Sequence, residues 1–149
     1  MKKILLATDG SNSSVEAGRQ VRSFLTAFPE AQLLVVYVIA PMAYSFDTGT
    51  ILPDIERHER EAVEEARESF VQVFADDPRV RFFTSRGVPA NVICDLADKE
   101  QVDLIVVGSH GKGSVQRALL GSVSQAVVRH ATVPVLVVRG QRNNDASAS

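Results

Sequence analysis

Hydrophobic positions follow two periods along this chain. Apolar runs at residues 4–7, 33–39, 102–107 (broken only by Asp103) and 133–138 read as strands buried on both faces, and a shorter run at 80–84 reads as one more. Between them apolar residues recur at helical spacing. One stripe holds Ala17, Val21, Phe24, Leu25 and Phe28; a second, over residues 54–74, holds Ile55, Ala62, Val63, Ala66, Phe70, Val73 and Phe74; a third, over 89–99, holds Val92, Ile93, Leu96 and Ala97. Ser13 with Glu16, and Ser122 with Gln125, have the spacing of capping boxes and predict where the first and last helices begin. Glu56 and Arg60 form an i,i+4 pair on the charged side of the second helix.

Strands alternating with helices predict an α/β fold: a three-layer, doubly wound, five-stranded parallel sheet in the order 3-2-1-4-5. Arg79, Arg81 and Arg86 put the third strand at one edge, and Pro134 puts the last strand at the other. The switch point then falls between strands 1 and 4, with Asp9 beside Gly108. A connection at 40–53 containing Tyr44, Phe46 and Gly49 is long enough for a flap or a binding loop. Residues 1–139 are expected to form one domain, and residues 140–149, small and polar, a disordered tail.

Composition narrows the function classes. At 149 residues, a single domain buries about 70% of its unfolded surface without disulfide or metal staples. A net charge of −2 without a concentrated basic patch gives no nucleic-acid or anionic-membrane surface. No run approaches the roughly 20 apolar residues of a membrane span. Cys94 is the only cysteine, and the chain reads as cytoplasmic. On an apolar helical face beside Ile93, Cys94 reads as a small hydrophobe.

The candidate chemistry lies after the fourth strand, in Gly108-Ser109-His110-Gly111-Lys112-Gly113-Ser114, followed by Gly121-Ser122-Val123. Glycines at the carboxyl end of a buried parallel strand let backbone approach a ligand and gather N–H donors toward phosphate oxygens. A glycine at 121 would weaken one continuous helix, so a new helix starting at Ser122 is expected, its free amides facing the same anion. Lys112 is followed by Gly113, which excludes a Walker loop, and the first strand lacks a dinucleotide fingerprint. Ser109 has no nucleophile-elbow context, and His110 and His130 have no metal-spaced partners.

The spacing Gly108-x2-Gly111-x9-Gly121-Ser122 resembles the motif of the universal stress protein family, in its ATP-binding branch, and the likeness extends over about residues 2–139 through Asp9, the run 103–110 and the ending 134–138. The resemblance implies a Rossmann-like adenine-nucleotide-binding fold. It implies that Asp9 and the backbone of Val38 meet adenine and ribose. Gly108, Gly111, Gly121 and Ser122 would hold ribose and phosphates, with Ser109, Lys112 and Val123 as further contacts. ATP with Mg2+ or Mn2+ is the implied cofactor, the ion bridging phosphate oxygens with no carboxylate ligand. Pairing of two copies through the last strand, at Val135, Leu136, Val137 and Val138, is also implied. The expected function is an ATP-binding, dimeric regulator of the stress response. A slow ATP hydrolase or adenine-nucleotide enzyme, and a nucleotide-free interaction module, stay open beside it, and no residue is assigned as catalytic.

Overall fold

The computed structural model describes residues 1–41, 52–111 and 120–140. Among the described residues nine elements alternate: β1 (Lys3–Thr8), α1 (Asn12–Ala27), β2 (Gln32–Ile39), α2 (Leu52–Phe74), β3 (Val80–Arg86), α3 (Pro89–Glu100), β4 (Leu104–Gly108), α4 (Ser122–His130) and β5 (Val135–Val138). Each apolar run became a strand and each 3.6-residue stripe a helix. The boundaries moved by a residue or two, as β4 begins at Leu104 and β5 only after Pro134, whose carbonyl still accepts from the Ile105 N–H at 3.0 Å.

The five strands are parallel and ordered β3-β2-β1-β4-β5. Alternation within each run sends neighbouring side chains to opposite faces. Ile4, Leu6, Leu33, Val35, Leu104 and Val106 meet α1 and α2 on one side. Leu5, Leu34, Val36, Ile105 and Val107 meet α3 and α4 on the other. A central strand buried on both faces has no polar position to spare, which is why β1 and β4 read as unbroken apolar runs. β1 pairs with β2 on one side and β4 on the other, so the chain reverses direction across the sheet between β1 and β4. Their carboxyl ends, Thr8 and Gly108, open the crevice where the candidate chemistry lies.

Both expected capping boxes are corrected. The cap of α1 is Ser11, whose hydroxyl accepts from the Ser14 N–H, while Ser13 lies inside the helix and Glu16 pairs with Arg19 at 3.0 Å. At α4 the cap is Gly121, in extended conformation and without a side-chain bond. Ser122 is the first helical residue there, and the Gln125 amide donates to the Leu120 carbonyl at 3.0 Å. The break at Gly121 stands as expected; the residue that makes it is the glycine itself.

Candidate functional site

The loop after β1 is built by its own side chains. Asp9 Oδ1 accepts from the Ser11 N–H at 2.9 Å, a turn that requires Gly10 at φ 78°, and Thr8 Oγ1 accepts from the Gly10 N–H at 3.0 Å. Thr8 and Ser14 hydroxyls bond at 3.0 Å, and Ser14 donates back to the Ser11 carbonyl at 2.8 Å. These bonds tie together five residues that precede or open α1. Asp9 faces the other loop with its second oxygen: a Cβ placed on Gly111 would stand 2.6 Å from Asp9 Oδ2.

The loop after β4 is held just as closely. The Ser109 N–H donates to the Val138 carbonyl at 2.8 Å, and the Gly121 N–H donates to the Ser109 carbonyl at 2.6 Å. Ser124 Oγ donates to the same Ser109 carbonyl at 3.0 Å and to that of Gly121 at 2.9 Å. The His110 carbonyl accepts from Ser13 Oγ and, at 3.3 Å, from Ser11 Oγ. These bonds revise the expected donor cradle, because the amides of Ser109 and Gly121 are spent on protein carbonyls. Among the described residues, the start of α4 offers donors for an anion. The first intrahelical bond is Gln125 N–H to the Gly121 carbonyl, at 3.0 Å, so the amides of Ser122, Val123 and Ser124 precede it.

The glycines make the convergence of these segments feasible. A Cβ on Gly108 would lie 2.8 Å from the Ser13 carbonyl carbon and the Ser14 nitrogen; one on Gly121 would lie 3.1 Å from the Ser109 oxygen. Among the described glycines only Gly10 and Gly87 have positive φ. Gly108, Gly111 and Gly121 are therefore glycine for space between protein segments, not for unusual backbone angles.

The segments enclose a cleft of about 390 Å3 at the switch point, a volume in the range of small-molecule sites. Its walls differ in character. Ala7, Val38, Ala40, Pro89, Ile93 and Val107 make an apolar side; Asp9, Ser11, Ser14, His110, Ser122 and Ser124 make a polar one. Of the residues expected at the site, Asp9, Val38, Gly108, Gly111, Gly121, Ser122 and Val123 all line this cleft. Ser109, 2% exposed, turns its hydroxyl to His110 Nδ1 at 3.1 Å instead. Lys112, Gly113 and Ser114 lie outside the described residues, as do the 42–51 connection and residues 141–149.

Nearby titrating groups agree with this picture. Burial pushes the Tyr37 hydroxyl above its ordinary value, with the Asp9 charge adding to it, so Asp9 makes itself felt across β1 and β2. Burial also raises the Cys94 thiol, as suits a half-buried side chain at the margin of the α3 core rather than a nucleophile. Sequence reasoning did not find the hydroxyls of Thr8, Ser11, Ser13 and Ser14, nor the wall given by Pro89 and Ile93. The run of serines after Asp9-Gly10 was the available signal.

Fold and cleft define a Rossmann-like α/β protein with a ligand-sized crevice at its topological switch point. The chain belongs to the universal stress protein family, whose sequence model matches residues 1–139. Universal stress protein MJ0531 of Methanocaldococcus jannaschii is 35% identical over 145 residues, covering 93% of this chain and 82% of that one. The solved structure of MJ0577, from the same organism, superposes with a TM-score of 0.71 at 28% identity, covering 95% of this chain and 98% of that one. A universal stress protein solved in complex with cAMP superposes with a TM-score of 0.65 at 26% identity, covering 93% of this chain and 96% of that one. Among the described residues no helix is long and apolar enough to cross a membrane.

Proposed function

We propose that this chain is an ATP-binding universal stress protein: a dimeric, cytoplasmic regulator that holds an adenine nucleotide in the switch-point cleft and presents that state to partners. The observation that carries the proposal is the convergence of Asp9, Gly108, Gly111, Gly121 and the start of α4 on one cleft that also has an apolar lining. A flat heteroaromatic base suits the side formed by Val38, Pro89 and Ile93, with the Val38 backbone at its edge. Ribose and phosphates suit the other side, where Asp9 meets hydroxyls and the α4 dipole and amides meet negative charge. The relative that binds cAMP supports an adenine nucleotide as the ligand class.

The described residues contain no group of three His, Cys, Asp or Glu able to hold a metal ion. Mg2+ or Mn2+ would accompany the phosphates at this site and neutralise their charge. The two sheet edges differ in a way that supports pairing through β5. β3 carries Arg81 and Arg86, the latter bonded to Glu59 at 3.0 Å, whereas Val135, Leu136, Val137 and Val138 present an uncharged edge that a second copy would cover.

Equilibrium dialysis with millimolar ATP and magnesium tests the reading. Binding by the native chain, lost in Gly111→Val and Gly121→Val, is expected. Absence of binding, or equal binding by the variants, would sink it.

A further inference from the structure

Ser13 stands apart from the residues that face the cleft. It does not line the cleft and is buried, 6% exposed, and it bonds the 108–111 loop that carries part of the polar wall. Its hydroxyl donates to the His110 carbonyl, and the His110 N–H reaches back to the same oxygen at 3.4 Å. Its backbone is what a side chain on Gly108 would strike, and its Cα, Cβ and N lie 3.5 Å from where a Cβ on Gly140 would be. One serine in the first turn of α1 thus meets the end of β4, the loop that follows it, and the backbone just after β5.

From this geometry we infer that Ser13 is the positioning residue of the nucleotide site: a latch that sets the height of the His110–Gly111 backbone over Asp9. This rests on the nucleotide reading above and adds how the site is kept in shape. The His110 carbonyl has two described donors, Ser13 and the longer contact from Ser11. Removing the Ser13 hydroxyl takes away the shorter of these two bonds and frees that peptide to turn. Turning that peptide moves Gly111, the next residue, away from Asp9 and widens the cleft on its polar side. The part of the apolar lining carried by β2 and α3, Val38, Pro89 and Ile93, makes no bond to Ser13 or His110 that this change would break.

The test combines ATP titration with amide hydrogen exchange on the unliganded full chain. Ser13→Ala is expected to weaken ATP binding about tenfold, the scale of one well-placed hydrogen bond. Exchange should quicken at residues 109–111 while β4 and α3 keep native protection. Ser13→Thr restores the hydroxyl, and native protection at 109–111 together with native affinity is expected to return. Native-like ATP binding by Ser13→Ala would overturn the inference. So would faster exchange along β4 equal to that at 109–111, because that marks general loosening and not a latch. A native chain that binds no ATP defeats the nucleotide reading, and unchanged exchange at 109–111 in Ser13→Ala defeats the latch, so the two failures are separable.

Discussion

At Gly111 the missing side chain matters because Asp9 Oδ2 occupies the space a Cβ would need, 2.6 Å away. The expectation drawn from sequence was that glycines here bring backbone to a ligand; the structure also uses them to bring protein segments together, the 108–111 loop against Asp9 and Ser13. Their positions were legible from spacing, but that role needs two loops about a hundred residues apart to be seen together. Gly87 is a simpler case, with φ 145° and a would-be Cβ 2.7 Å from Val92 Cγ2. Gly87→Ala is expected to cost about 1–3 kcal/mol, read as a lower urea midpoint at unchanged slope. Asp77 and Asp103 supply a pH dependence. Hydrogen bonds from the Arg79 side chain hold the Asp77 carboxyl below its ordinary 3.8, and the Lys2 and Lys3 N–H groups do the same for Asp103. A depressed carboxyl contributes its stability above the unfolded-state pKa and loses it as pH falls through the folded-state value. Melting temperature should therefore drop below about pH 4, and Asp77→Asn should melt lower than the native chain at pH 7, with the gap closing in acid. A gap that persists at the lowest pH would contradict this.

Elements were legible wherever one period dominated. β1 and β4, buried on both faces, announced themselves as apolar runs, and α1, α2 and α3 as stripes. Their ends were less legible, because a cap is decided by which hydroxyl finds an unpaired amide. At α1 three serines compete within four positions, and Ser11 takes the cap because the Asp9-Gly10 turn aims it there, leaving Ser13 for His110. Contact between α1 and α2 turns on Gly18, whose would-be Cβ lies 2.8 Å from the Phe70 ring. Phe70 stacks on Phe74 at 6.2 Å and packs into the core with Phe82, so it has little room to yield. Gly18→Val should separate the two helices at a cost of roughly 1–3 kcal/mol, measurable by thermal unfolding. A native-like melting temperature would show that the ring can move aside.

For the whole molecule, strand order followed from the sequence because parallel strands joined by right-handed crossovers leave few arrangements, and the charged and proline-bearing strands had to be edges. That order brings Asp9 and the 108–111 loop together without any knowledge of side-chain contacts. The hydroxyl network was not legible, since Ser13 and His110 are 97 positions apart and neither has a pattern that names the other. The uncharged β5 edge predicts association: light scattering at micromolar concentration should give twice the monomer mass, and a monomer would contradict pairing through that strand.

The central claim, that an adenine nucleotide occupies the switch-point cleft, is most directly tested by a 15N NMR titration of the full chain with ATP and magnesium. Saturable shifts concentrated at Asp9, Val38, Gly111, Ser122 and Val123, with β3 and the α1–α2 face unmoved, are the predicted result. Shifts centred away from the cleft, or none at millimolar ATP, would contradict it.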